Sequence, residues 1–185
     1  VSFNQASQNL HMLSNSSVGL PSDMWLPVNS ILKPITMRQF SGGYERDLWN
    51  KRYTFSVEGY YRKSDGIIDY KDNADLFLNN RIEEQVLTGE SNGYGVECSL
   101  AKNSGSITGR ISYTYSRSYN RIAGIEEGKQ YPSILDRPHN LKLFLNYAIN
   151  PKWDLSSTFS YCSGMNLTLP VGQYQFDGFL YYIYS

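Results

Sequence analysis

One stretch constrains this chain more than any other: Arg52 to Lys63, RYTFSVEGYYRK. Tyr53, Phe55, Val57, Gly59 and Tyr61 fall on odd positions, and Thr54, Ser56, Glu58, Tyr60 and Arg62 on even ones. One face is apolar and aromatic, and the other is polar and charged. An extended chain turns successive side chains to opposite faces, so this alternation is a β-strand held between two unlike surroundings.

The same pattern recurs along the chain. Met37 to Leu48 sets Phe40, Gly42, Tyr44 and Leu48 against Gln39, Ser41, Glu45 and Asp47. Val86 to about Ala101 sets Tyr94, Val96, Cys98 and Leu100 against Gly93, Gly95, Glu97 and Ser99. Ile107 to Arg117 alternates Ile, Gly, Ile, Tyr and Tyr against Thr, Arg, Ser, Thr and Ser. His139 to Ile149 carries Leu141, Leu143, Leu145, Tyr147 and Ile149 on one face. Trp153 to Tyr161 follows in the same style, and Ser2 to Leu13 is a weaker first strand. Asp65-Gly66 reads as a bulge that lets the Arg52–Lys63 strand continue through Ile67, Ile68 and Tyr70.

The connections are lopsided. Trp49-Asn50-Lys51, Asn103-Ser104-Gly105 and Asn150-Pro151-Lys152 are tight turns. Ser14 to about Leu32, Lys71 to about Gln85, Ser118 to about Pro138 and the stretch from Ser163 are long connections. The first holds Pro21 and Pro27, the last Pro170 and Gly172, and this density of turn-formers predicts no regular element. Leu76-Phe77-Leu78 leaves room for a short extra hairpin. Short turns at one end and long loops at the other are the asymmetry of outer-membrane barrels. Strands of about ten residues also suit a tilted membrane crossing better than a soluble sheet.

Composition agrees without deciding the matter. Aromatic residues make up 15% of the 185, and 16 residues are tyrosine, whose ring lies in an apolar layer while its hydroxyl reaches water. Tyrosine is also simply a good strand former. The mean hydropathy is negative, as a wall apolar only at alternate positions allows. No apolar run is long enough for a transmembrane helix. Seventeen basic side chains balance seventeen acidic ones, which gives no basic surface for nucleic acid. Cys98 and Cys162 fall on opposite faces of their strands, so no disulfide is expected between them.

Motifs for chemistry are missing. No Cys/His/Asp/Glu cluster has metal-ligand spacing, and neither a nucleophile elbow nor a phosphate loop occurs, so no catalytic residue, metal or cofactor is expected. Asp69 to Asp75 lacks the glycine and distal glutamate of a calcium loop. Asp136-Arg137-Pro138-His139 reads first as a rim device, with proline starting a strand and a local Asp–Arg pair. Ligand contacts would come from the long loops. The candidates there are Trp25, an aromatic anchor in its Pro-flanked loop, with Arg137 and His139. Trp49 and Trp153, beside tight turns, are expected to mark the opposite membrane interface.

Three runs carry a family resemblance: Gly43 to Tyr70, the GYGVE from Gly93 to Glu97, and YPSILDRPHNLKLFLNYAINPKWDLSSTFSYCSG from Tyr131 to Gly164. They resemble the C-terminal half of the barrel of TonB-dependent outer-membrane receptors. The resemblance implies an all-β fold, an antiparallel up-and-down transmembrane barrel segment. About seven or eight strands are expected, an incomplete barrel beside the roughly 22 of a whole receptor. It implies residence in the bacterial outer membrane, against lipid, with the remainder of the receptor chain as partner. It further implies uptake of a scarce ligand, an iron chelate, cobalamin or glycan, energised through TonB gripping a segment before the plug. Residues 1–185 read as a single wall segment, with plug and grip segment absent and both ends looking like cuts in a longer polypeptide. Two other readings stay open on the residues alone. One is a complete small eight-stranded outer-membrane barrel, an adhesin or structural protein, whose end segments pair. The other is a soluble up-and-down barrel holding a small apolar ligand, whose aromatic faces point inward.

Overall fold

The computed structural model describes residues 1–13, 24–71, 82–164, 166, 170–176 and 179–184. The strands are β1 (Ser2–Gln8), β2 (Leu10–Leu13), β3 (Met24–Pro27), β4 (Ile35–Leu48), β5 (Tyr53–Tyr70), β6 (Val86–Lys102), β7 (Ile107–Ile122), β8 (Gln130–Pro132), β9 (His139–Asn150), β10 (Trp153–Cys162), β11 (Pro170–Phe176) and β12 (Phe179–Tyr184). One antiparallel sheet runs β1-β4-β5-β6-β7-β9-β10, with β8 attached to β7. β2–β3 and β11–β12 form two separate hairpins. Among the described residues the only helical turns are two short 3-10 stretches, Ile82–Glu84 and Glu126–Gly128.

The sheet is open. β1 and β10 lie at its two ends and are not bonded to each other. That removes the support for a complete small barrel, which needs its end strands joined. The register lines the apolar positions up across the wall: Phe55 opposite Leu100, Leu100 opposite Ile111, Ile111 opposite Leu143 and Leu143 opposite Phe159. These side chains do not converge on a core. Phe55 is 37% exposed and Ile111 44%, and the buried hydrophobic residues are few. A soluble barrel would enclose such a face; a lipid-facing wall leaves it bare until the bilayer covers it.

The apolar band has defined limits. In β5 it runs from Tyr53 to Tyr61, about nine residues, which matches a tilted crossing. At the turn end Trp49 packs edge-on against Tyr53 at 5.3 Å, and Trp153 lies exposed. Arg46 and Lys102 share the apolar row there, next to the turns, where long side chains reach the headgroups. At the loop end Tyr61 stands opposite Tyr94. Two residues further, the same face turns charged: Lys63 stands opposite Arg38 and Asn92, and its Nζ lies 2.7 Å from Glu90.

β5 has 18 residues, or roughly 55–60 Å of extended chain, well beyond what a crossing requires. Its tight turn sets the lower limit, so the excess projects past the membrane on the loop side. The bulge expected at Asp65-Gly66 is present: the β5–β6 register shifts between Asp65 and Ile67. Gly66 sits at φ +84°, and a Cβ there would meet the Pro34 carbonyl at 2.9 Å. The turn at Trp49-Asn50-Lys51 is an unbroken run of left-handed residues, closed by the Arg52 N–H donating to the Trp49 carbonyl at 3.1 Å. Both cysteines are free.

The long connections are more ordered than turn-former density predicts. The first strand breaks after Gln8, and β2 pairs with β3 inside the supposed loop, Met12 opposite Trp25. This hairpin has its own small core: Leu13, Leu32 and Val86, packed with Leu26, Ile68, Tyr70 and Ile82. The Asn29 carboxamide oxygen accepts from the N–H groups of Ile31 and Leu32, both at 2.8 Å, and so turns Leu32 inward. β7 continues to Ile122, past the Ser118 limit, and β8 folds back onto it. Pro170 and Gly172 belong to strand β11 rather than to a loop. Proline is tolerated there because it is the first residue of a strand. Leu76–Leu78 and residues 72–75 of the acidic run lie outside the described residues.

Candidate functional site

The polar positions of the wall share the other face. Ser56 and Ser99 bring their hydroxyls within 2.8 Å, the Ser156 hydroxyl donates to Asn146 at 2.6 Å, and the Thr54 hydroxyl donates to Asp47 at 2.7 Å. Glu58 stands directly opposite Glu97, with Arg110 on the same depression of about 450 Å³. Like charges side by side weaken a sheet in apolar surroundings. A wet lumen screens them, so the pair fits a water-facing wall.

Above this, on the same face and past the level of the Tyr61–Tyr94 pair, lies a cavity of about 330 Å³. Tyr60, Arg62, Ser116 and Ser118 border it from the sheet, and Ser133 and Arg137 from the returning loop. Gly93 lines its floor, and Gly95 lies under Tyr60 at its border. A Cβ on Gly95 would lie 2.8 Å from the Tyr60 ring and hydroxyl, and a Cβ on Gly93 would lie 3.7 Å from an Arg62 guanidinium nitrogen. The two long side chains therefore lie flat across the glycines.

Asp136 holds the loop over this cavity. β8 pairs with β7 through Tyr119 and Pro132, and the Ser133 N–H donates to the Ser118 carbonyl at 2.9 Å. The ladder then lapses until the Ser116 N–H donates to the Pro138 carbonyl at 3.0 Å. In the gap the Ser118 N–H has no backbone acceptor, and the Asp136 carboxylate takes it at 2.7 Å. The other carboxylate oxygen lies 3.2 Å from Arg117 Nε. That nitrogen is in ion-pair range but off the hydrogen-bonding line. In place of the local Asp136–Arg137 pair expected from the sequence, the loop carboxylate of Asp136 pairs with Arg117 of β7. Neighbours in an extended chain point to opposite faces and seldom meet.

Asp136 is 3% exposed, so its loss strands a buried donor. Asp136→Ala is expected to destabilise the loop by about 1–3 kcal/mol. Hydrogen exchange on the full receptor reads it: the Ser118 amide speeds up and residues 133–138 lose protection, while β5 is unchanged. Equal protection in both proteins would contradict this role.

A second tie anchors the same loop. The Tyr131 hydroxyl donates to Asp69 at 3.1 Å. Burial, and after it the Asp69 carboxylate, push this hydroxyl well above the usual tyrosine range, so it remains a donor.

The three sequence candidates do not meet in one place. Arg137 borders the cavity. Trp25 lies exposed on the β2–β3 hairpin. His139 begins β9 in the outward row, its Nδ1 2.8 Å from the Tyr113 hydroxyl and its ring 5.5 Å from Tyr115. His11 is fully buried, and its Nε2 donates to the Lys33 carbonyl at 2.9 Å. Sequence reading missed Tyr60 and Arg62 as cavity residues. Their signal was the alternate glycines of GYG at Gly93–Gly95, which open floor space opposite them. Among the described residues no group of three or more His, Cys, Asp or Glu could hold a metal ion.

Comparison with known proteins places this wall. The family profile described as TonB dependent receptor-like, beta-barrel, matches residues 3–182. The chain belongs to the TonB-dependent receptor barrel family. The match spans nearly the whole sequence, including every strand of the open sheet. TonB-dependent receptors are a family of outer-membrane receptors and transporters, which fits a wall with one apolar face and one face of hydrogen-bonding groups. No curated protein and no solved structure matches the chain. The eight-stranded sheet is a wall segment of a TonB-dependent receptor barrel, with its apolar face to lipid and its polar face to the lumen.

Proposed function

We propose that this wall segment serves energised import across the bacterial outer membrane. The ligand is a scarce, bulky compound of the iron-chelate, cobalamin or glycan class, entering from the long-loop end. Residues 1–185 act as one unit of the wall, and a plug and the TonB contact are supplied by other parts of the receptor. The observation that carries this reading is the polar face. It continues without a break from the tight turns, past the apolar band, into the cavity beneath the Asp136 loop. A purely structural barrel has no use for a wetted wall that ends in a binding-sized recess on the outside.

The role is positional. The wall excludes lipid, presents hydroxyls, amides and guanidinium groups to a passing ligand, and makes or breaks no covalent bond. Loop residues held by a rigid sheet, Trp25 and Arg137 among them, would make first contact, and His139 would steady the rim.

Uptake tests this. Cells making the full receptor are offered a panel of ferric chelates, cobalamin and oligosaccharides, each as a labelled compound. Accumulation of one class is expected to need both the receptor and an intact inner-membrane energising complex. Accumulation that survives loss of that complex, or no receptor-dependent accumulation at all, would refute energised import.

A further inference from the structure

We infer that the recess at Tyr60 is a subsite for a neutral sugar ring, so that the glycan is the ligand class this wall takes. This deepens the import reading and rests on it for the direction of entry.

The first ground is the shape of the wall. Three rungs follow one another across β5, β6 and β7 on the lumen face. They are Arg62, Gly93 and Ser118, then Tyr60, Gly95 and Ser116, then Glu58, Glu97 and Thr114. The middle strand contributes glycine to the upper two, so the wall sinks there between rims roughly 10 Å apart.

The second ground is a platform. Tyr60 leans over the floor, its Cζ and hydroxyl oxygen both 2.8 Å from where a Gly95 Cβ would stand. A side chain in place of Gly95 would push the ring off. One ring face is thus turned to the floor and the other to the lumen. An aromatic face carries negative charge density and attracts the edges of C–H groups. The flat faces of a pyranose are lined with C–H, whereas a carboxylate or phosphate is repelled by that density.

The third ground is hydrogen bonding in both directions, since a sugar hydroxyl both donates and accepts. Arg62, one rung above the ring, can only donate. Glu58 and Glu97, one rung below, only accept when ionised, and the hydroxyls of Ser116, Ser118 and Thr114 do either. Among the described residues, no protein group makes a hydrogen bond or ion pair with the Arg62, Glu58 or Glu97 side chain or with the Tyr60 hydroxyl. Charge selects no ion. Over this cavity and the depression below it, the four arginines 62, 110, 117 and 137 are matched by four carboxylates, Glu45, Glu58, Glu97 and Asp136. The cavity above the ring, about 330 Å³, suits one ring of a longer chain and is too small for a corrin macrocycle.

Equilibrium binding to the full receptor, purified in a detergent without a sugar headgroup, tests this without any energy source. Maltohexaose, xylohexaose and laminarihexaose are titrated by calorimetry beside citrate and cyanocobalamin. At least one oligosaccharide is expected to bind, and more tightly than citrate or cyanocobalamin. Tyr60→Leu keeps an apolar cover over Gly95 but removes the aromatic face, and is expected to weaken that binding roughly fivefold to tenfold. Lys152→Gln, in a tight turn at the far end, should leave it unchanged.

The inference falls if no oligosaccharide binds, if citrate or cyanocobalamin binds at least as tightly as every oligosaccharide, or if Tyr60→Leu binds as the native receptor does. Should Tyr60→Leu not fold, Glu97→Gln decides. A loss of about tenfold, as for one charged acceptor, upholds the subsite, and unchanged affinity overturns it. The two readings fail separately. Sugar binding through Tyr60 with no energised uptake would sink import alone. Energised uptake of a chelate or cobalamin that ignores Tyr60→Leu would sink the subsite alone.

Discussion

A polypeptide limited to these 185 residues will not insert into a bilayer as a folded monomer. The sheet ends on β1 and β10, which have 7 and 10 residues. Alternate residues of an edge strand aim both N–H and C=O away from the sheet. On β10 alone that leaves about ten backbone groups facing hydrocarbon, and each costs several kcal/mol there. The sum is on the order of tens of kcal/mol, beyond the roughly 5–15 kcal/mol by which a folded domain is stable. The experiment is refolding into phospholipid vesicles, read by protease protection and by heat-dependent gel mobility. The expected result is no protected monomer, and protection restored when the missing barrel strands are supplied on a second polypeptide. A protected, compact monomer of these residues alone would show that β1 and β10 can find each other.

The second large effect concerns the apolar row. Leu143→Arg is expected to destabilise the full receptor in vesicles by about 2–4 kcal/mol. That is roughly a thirtyfold to thousandfold loss in the folded-to-unfolded ratio. Leu143 lies in the middle of the band, with Ile111 on one side and Phe159 on the other, so an arginine there has no headgroup within easy reach. Thr114→Arg is the counterpart. Thr114 sits on the lumen face opposite Glu97, and a change of about 0.5 kcal/mol or less is expected. Denaturant titration of both variants measures the difference. Equal costs, or a larger cost at Thr114, would reverse the two faces and return the chain to a soluble barrel.

The wall was legible because its rule is local. Alternation in Arg52–Lys63, Ile107–Arg117 and His139–Ile149 specifies strand and facing at once, and the left-handed run at Trp49–Lys51 shows as a tight turn. Even the bulge could be read, since Asp65-Gly66 interrupts the alternation where a glycine permits positive φ. The candidate site was only half legible. Arg137 could be placed at the rim, yet its neighbour Asp136 proved to be committed to Arg117 and the Ser118 N–H. Trp25 and His139 have the chemistry for ligand contact but lie outside the cavity lining. Arg62 looked like an ordinary lumen charge until Gly93 was found beneath it.

The sequence by itself therefore determined the two faces, the turn end and the loop end, and the family, because each depends on residues close together in the chain or on a pattern repeated strand after strand. The tertiary structure alone decided what the long connections do. β2 meets β3 from across residues 14–23, β8 returns to β7, and His11 is buried by partners that lie well along the sequence. Such pairings are chosen by which distant segments bury apolar surface and satisfy backbone groups together. Turn-former density carries no record of that choice, because it reports where a chain can bend and not what it bends to meet.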